Sequence, residues 1–391
     1  HGETLAYTEI GLTRTHRVYP YPSLAPVTGY YSLRYGTGGL EASYDAPLRG
    51  ADRDPFIRWV DGLLHRPGRG DDVVTTIDLN LQRKVDEILG ERRGAVVVMD
   101  PRTGEILALA SHPTYDPNRL DEEWDALQAA LGSPLLNRAT QGQYPPGSVF
   151  KTVTLAASLE EGLTDPTEVF TDATGTLPVG TFIVRCRNHP GRTRLTLGEA
   201  YAFSCNVAFA ELGLRLGEKR LREYAGRFGI GQAPAVPLPV ATGQLADTYP
   251  LSEEPLAMTA IGQGELLVSP LQMALVAATI ANDGVRPAPR LVLEVWRTRA
   301  EKMEPVPPPG EPVRVVSRLT AWQVRAAMQQ AVTEGWAQGA ALPGVAVAGK
   351  TGTAQVGPLE QAVGPPPHSW FIGFAPADDP QVVVALVIEH G

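Results

Sequence analysis

The sequence predicts an α+β fold: a mainly antiparallel central sheet flanked by helices, with a smaller, irregular β-rich module at the N-terminus. Three observations predict it. Apolar runs of strand length stand on both sides of a long stretch whose apolar residues recur mostly at helical spacing. The residues before the first of these runs are rich in Gly, Pro, Tyr and Arg and alternate only briefly. Strands at both ends with helices between them imply one sheet in which the two ends meet, its faces covered by the helices.

From His1 to about Asp72 the short runs Arg17-Val18-Tyr19 and Tyr30-Tyr31-Ser32-Leu33 read as irregular β structure. The cluster Arg66-Pro67-Gly68-Arg69-Gly70-Asp71-Asp72 marks a loop and a module boundary, so the expected division is 1–72 and 73–391. Val73 to Ile77 reads as a strand, and Asp78 as the cap of a helix from Leu79 to Leu89. Gly94 to Met99 and Ile106 to Ala110 are apolar strands joined by Asp100-Pro101-Arg102-Thr103-Gly104-Glu105, a hairpin signal. Leu120 to Met328 is mostly helical in pattern, broken by Pro-rich loops such as Ala233 to Val240. Ser369 to Phe374 and Gln381 to Ile388 close the chain as strands, with Val345 to Lys350 a third candidate before them. No internal repeat is found.

A chain of 391 residues with 43% hydrophobic and 20% charged residues can bury a large core. Its net charge of −9 argues against a nucleic-acid partner. It holds no apolar run of about 18 residues, so nothing in it is expected to span a membrane. It begins at His1 rather than at a methionine, and a preceding N-terminal segment is expected. Seven scattered histidines and two cysteines show no ligand spacing. No metal is expected, and no cofactor is called for.

The chemistry centres on Tyr144-Pro145-Pro146-Gly147-Ser148-Val149-Phe150-Lys151. Prolines and a glycine can enter a helix but not continue one, which places Ser148 at or beside the first helical position. A spacing of three residues rotates by about 300° and rises by about 4.5 Å, so Ser148 and Lys151 project from one face. The helix that follows, to Leu159, has almost no polar face and is expected to be buried. A lysine in its first turn meets the positive end of the macrodipole and loses hydration, and both effects disfavour the ammonium. A neutral amine beside a serine hydroxyl is the base that a serine nucleophile requires. On these residues alone, a surface lysine after an N-capping serine is the competing reading. Ser204-Cys205-Asn206 lies between helical stretches Leu197 to Phe203 and Val207 to Leu216, where a turn and N-cap are the simplest reading. Lys350-Thr351-Gly352-Thr353 follows an apolar strand, and its glycine permits close approach of another backbone or a ligand.

In this order the three motifs resemble the Ser-x-x-Lys, Ser-x-Asn and Lys-Thr-Gly set of penicillin-recognising serine acyltransferases. The resemblance covers essentially the whole chain and is to class B penicillin-binding proteins. It includes Thr75-Thr76-Ile77-Asp78, Pro113 to Asn118, Gly262-Gln263-Gly264, Ser269 to Ala274, Trp370 to Phe374, and the segment Tyr30 to Gly50. It implies a transpeptidase and serine β-lactamase-like fold. It also implies that Ser148 attacks a D-Ala-D-Ala stem peptide, with Lys151 as the base. Ser204 would relay a proton to the departing D-alanine, Asn206 would hold Lys151 and the substrate amide, and Lys350 would keep the field around Ser204 positive. Thr351 and Thr353, either side of Gly352, would bind the terminal carboxylate. The implied oxyanion hole is the backbone N–H of Ser148 and of Thr353. The implied partners are stem peptides as donor and amine acceptor, β-lactams, and a membrane-embedded glycosyltransferase of the elongation or division machinery.

The implied location is the extracytoplasmic face of a bacterial membrane, on an N-terminal anchor upstream of His1. The leading module is then incomplete, and the family's glycine-rich turn and closing helix would follow Gly391. A serine β-lactamase of the same fold is the alternative activity, but it needs a water-activating group, and no Glu-x-x-Leu-Asn string lies between Asn206 and Lys350. A β-lactam sensor or an inactive division scaffold is the non-enzymatic alternative. Cys205 is uncommon at the middle motif position. It and Cys186 are either a disulfide across the active-site rim or two buried thiols.

Overall fold

In the computed structural model, all residues are described except 1, 11–14, 53–54, 57–58, 60–62, 65–69, 172–174, 187–190, 246–250, 299–300 and 356–364. The loop expected from Arg66 to Asp72 therefore lies mostly outside the described residues. A three-stranded sheet contains β1 (Asp72–Thr75). The central sheet is built from β2 (Gly94–Met99), β3 (Ile106–His112), β5 (Ala348–Ala354), β6 (His368–Ala375) and β7 (Val382–Ile388), with β4 (Val292–Arg297) outside it. The central strands run in the order β5-β6-β7-β2-β3, and every neighbouring pair is antiparallel.

The β2 sequence Gly-Ala-Val-Val-Val-Met explains why this sheet has a layer on each face. Ala95, Val97 and Met99 enter the main core. Val96 and Val98 join Val85 and Leu89 of α1 (Leu79–Leu89) in a second cluster. A strand apolar on both faces requires cover on both. Asp78 caps α1 as expected, accepting from Leu81 N at 3.0 Å. The main core holds α2 (Lys151–Glu160), α3 (Leu197–Ala202), α4 (Asn206–Arg227), α5 (Pro270–Ala281) and α6 (Arg318–Thr333). All twelve residues of α5 are buried, as befits a helix apolar all round. Its start is fixed by a capping box, Ser269 with Gln272.

The hairpin, the closing strands and the meeting of distant chain segments in one antiparallel sheet agree with the sequence reading. Two details differ. β1 pairs with β4 rather than with the central sheet, so the largely helical middle also contributes strands. The strand expected over Val345 to Lys350 begins at Ala348 and runs through Lys350-Thr351-Gly352-Thr353, so the motif lies inside the strand rather than after it. Pairing with β6 fixes this register, Lys350 opposite Ile372 and Thr353 opposite Ser369, and overrides the weak strand preference of Gly and Lys.

The first 72 residues form small hairpins, Tyr7–Ile10 with Thr15–Val18 and Tyr30–Ser32 with Gly36–Gly38, and short helical turns. They do not stand apart. Leu24, Val27 and Leu40 belong to the same core as α2 and α5, and Arg297 pairs with Asp52 and Asp71. Among the described residues, no helix is long and apolar enough to cross a membrane.

Candidate active site

The Pro-Pro-Gly entry produces a 3-10 turn, Gly147–Phe150, that runs into α2. Ser148 therefore sits in the tight turn, and the α-helix proper begins at Lys151. Gly147 has φ +56° and donates its N–H to Gly262 O at 2.8 Å. A side chain at Gly147 would begin 2.5 Å from Thr353 O, so only glycine lets the turn lie against the Lys-Thr-Gly strand. Gly352 answers from the other side, where a Cβ would meet Val149 Cγ1 at 3.0 Å and Pro146 O at 3.1 Å. These two glycines bring the first and third motifs together.

Lys151 is fully buried. Its Nζ lies 2.8 Å from Ser204 O, 2.7 Å from Asn206 Oδ1 and 3.2 Å from Ser204 Oγ, with the Phe209 ring centroid at 5.6 Å. Burial, and then the charge of Lys350, hold the Lys151 ammonium well below the usual lysine range. Nζ donates to all three oxygens, and of these only the Ser204 hydroxyl could in turn donate to a neutral amine. Among the described residues, the Ser148 hydroxyl makes no hydrogen bond. The 3-10 turn keeps positions 148 and 151 on one face, but the hydrogen bonds of the Lys151 amine go to the second motif rather than to Ser148.

Ser204 occupies the left-handed region, φ +58°, in the turn between α3 and α4. A non-glycine residue there is costly and persists only where its surroundings hold it. Here Ser204 N and Cys205 N donate to Tyr201 O and Ala200 O, while Lys151 holds the Ser204 carbonyl. Asn206 opens α4 and donates Nδ2 to Arg185 O at 3.1 Å, which orients Oδ1 toward Lys151. Cys205, the N-cap, is joined to Cys186 in a disulfide with Cα atoms 5.2 Å apart, which settles the two readings of these cysteines.

Lys350 is also buried. Its Nζ donates to Thr351 O at 3.0 Å and lies 5.6 Å from the Tyr201 ring centroid, and burial pulls its pKa down to about 7. Thr351 is half-buried beside a recess of about 300 Å³ that Trp336 and Phe371 also line, and Thr353 is exposed. A recess of about 360 Å³ around Leu216 to Arg220 touches none of the three motifs. Sequence reasoning missed the aromatic rings beneath the two lysines and an ionic cluster of Arg138, Glu389 and Tyr144 behind the Ser148 turn. Of these residues only Tyr144 lies in one of the motifs, at the head of the Tyr144 to Lys151 stretch, and nothing there points to Glu389 or Arg138.

The comparisons first give the class. Residues 94–391 match the family model of the penicillin binding protein transpeptidase domain, and residues 1–73 that of the penicillin binding protein A dimerisation domain. The chain is 40% identical, over 419 aligned positions, to the peptidoglycan D,D-transpeptidase PbpA of Mycolicibacterium smegmatis, covering 100% of this chain and 82% of that one. Its fold matches the crystal structure of PBPA from Mycobacterium tuberculosis with a TM-score of 0.89 and 39% identity, covering 100% of this chain and 92% of that one. The imipenem acyl-enzyme complex of the M. tuberculosis protein matches with a TM-score of 0.88 and 39% identity, over the same shares. The chain belongs to the class B penicillin-binding proteins.

Proposed function

We propose that this chain cross-links peptidoglycan as a D,D-transpeptidase through an acyl-enzyme on Ser148, and that β-lactams acylate the same serine. The observation that carries this reading is Lys151, buried and held against Ser204 and Asn206, with burial and then the charge of Lys350 disfavouring its ammonium. Ser148 Oγ attacks the carbonyl of the penultimate D-alanine and loses its proton to the Lys151 amine. The tetrahedral oxyanion lies between the N–H of Ser148 and that of Thr353, which the Gly147 contact brings beside the turn. Collapse expels D-alanine, whose nitrogen takes a proton from Ser204, and Lys151 replenishes Ser204. An acceptor amine then attacks the ester, the proton path runs in reverse, and Ser148 is freed. Lys350 keeps the region positive, and Thr351 and Thr353 bind the terminal carboxylate. β5 is an edge strand of the sheet, which suits a substrate lying alongside it as a further strand.

The imipenem acyl-enzyme complex of the M. tuberculosis protein supports the β-lactam half of this reading. The same reading places residues 1–72 as a non-catalytic module and 73–391 as the transpeptidase domain, working outside the cytoplasm on an upstream anchor beside a membrane-embedded glycosyltransferase. The test is intact mass after exposure to penicillin, followed over hours. A stable adduct that Ser148→Ala abolishes while keeping the fold is the expected result. Rapid return to free protein indicates a β-lactamase. No adduct, or an adduct on the Ser148→Ala protein, overturns the assignment.

A further inference from the structure

The four residues before Ser148 are restrained one at a time. Tyr144 exchanges both backbone hydrogen bonds with Val268, at 3.0 and 2.9 Å. Pro145 accepts from Trp370 Nε1 at 3.0 Å, Pro146 lies against Gly352, and Gly147 donates to Gly262. The remaining restraint is ionic. Tyr144 donates its hydroxyl to Glu389 Oε1 at 2.8 Å, immediately beyond the end of β7. Arg138 donates Nε to the same oxygen at 2.8 Å, and Arg93 lies 3.0 Å from Oε2. The side chains of Arg138 and Glu389 are 1% and 9% exposed. The other Arg138 nitrogens are committed to Ser133 O and Gly132 O, at 3.1 and 2.6 Å.

A buried carboxylate compensated on both oxygens cannot swing without leaving a charge unpaired, so it is a rigid anchor. Burial pushes the Glu389 carboxyl up, but the Tyr144 bond and the Arg138 charge outweigh it, and the group stays ionised below the usual carboxylate range. None of these groups takes part in the proposed chemistry. We propose that Glu389 is a positioning residue for acylation, holding Tyr144 and through it the turn that presents Ser148. This rests on the assignment of Ser148 as nucleophile.

The test uses the full chain, a fluorescent penicillin, and the variants Tyr144→Phe, Glu389→Gln and the double. Misplacing a nucleophile slows the bond-forming step more than binding. The maximal acylation rate is expected to fall about tenfold in Glu389→Gln and about threefold in Tyr144→Phe, with the half-saturating concentration unchanged. The double variant should be no slower than Glu389→Gln, because both changes break one link. A purely structural role would lower the melting temperature and leave the rate of the folded fraction alone. Parent rates in both variants, or effects that multiply in the double, overturn the proposal. Should Glu389→Gln fail to fold, Tyr144→Phe decides alone, since it leaves both arginine pairs in place. A parent that does not label overturns the assignment of Ser148, whereas a parent that labels beside unchanged variants overturns only the role of Glu389.

Discussion

Lys151 and Lys350 are equally shielded from water, each with an aromatic ring centroid 5.6 Å away, yet one is surrounded by oxygens and the other is not. Lys151 has three oxygen partners on the second motif, while the hydrogen bond from Lys350 goes to the adjacent Thr351 carbonyl. Burial depresses both, and Lys151 also carries the repulsion of Lys350. The repulsion is mutual, so a proton on one amine disfavours a proton on the other, and burial brings Lys350 to about 7. In the proposed mechanism one of these buried amines serves as the base and the other as the cation for a carboxylate.

The largest effect expected from this contrast is at Lys151. Lys151→Arg keeps a cation but cannot be a base, because guanidinium does not deprotonate in this range, and acylation by penicillin should fall by about 10³-fold. A variant acylating near the parent rate would erase the distinction and leave Lys151 as an electrostatic partner. At Lys350 the charge itself matters, so Lys350→Met should cost about 10²-fold. The pH profile sharpens the point. The working form has Lys151 neutral and Lys350 charged, so kcat/KM of the free enzyme should decline as pH rises through about 7. Lys350→Arg should remove that decline. Lys350→Met should instead move the acidic limb upward, because Lys151 stays buried but loses the positive neighbour that adds to the effect of burial. A profile flat from pH 6 to 9 in the parent, on the order of three units, would show that Lys350 holds its proton throughout. The smallest effect concerns the disulfide, which braces only the Lys151 side of the pair, through Ser204 and Asn206. Reduction, or Cys186→Ser, should lower stability by about 3 kcal/mol, with a change of about twofold in acylation rate. Unaltered melting on reduction would remove the brace from the account.

Much of this was legible in the sequence because the signals were local. Asp78 before an amphipathic helix, an apolar pair around Asp100 to Glu105, and a Pro-Pro-Gly entry each specify their own geometry. A lysine disfavoured as an ammonium followed from residue type and spacing, whereas the second and third motifs stood out only through the family resemblance. What escaped was set by partners distant in the chain. The register of β5 depends on Phe371 and Ile372, the strand at Val292–Arg297 on β1, and the direction of the Lys151 amine on a turn more than fifty residues later. Glu389 had no signal either, since a glutamate after a strand reads as surface until Arg138 and Arg93 are seen around it.

The strand order has a consequence for how the chain is made. β7 lies between β6 and β2, so Val383 pairs with Met99 across most of the sequence. Until β7 exists, the apolar β2–β3 hairpin keeps an open edge, the kind that recruits other unfolded chains, and closing so distant a contact is slow. A chain delivered N-terminus first thus completes its sheet only when β7 follows, long after β2 and β3, and Glu389, one residue beyond β7, reaches Tyr144 at the same moment. The turn bearing Ser148 is thus held by a segment that arrives long after it, and on the proposed roles a half-delivered chain would meet an antibiotic without a fully braced nucleophile.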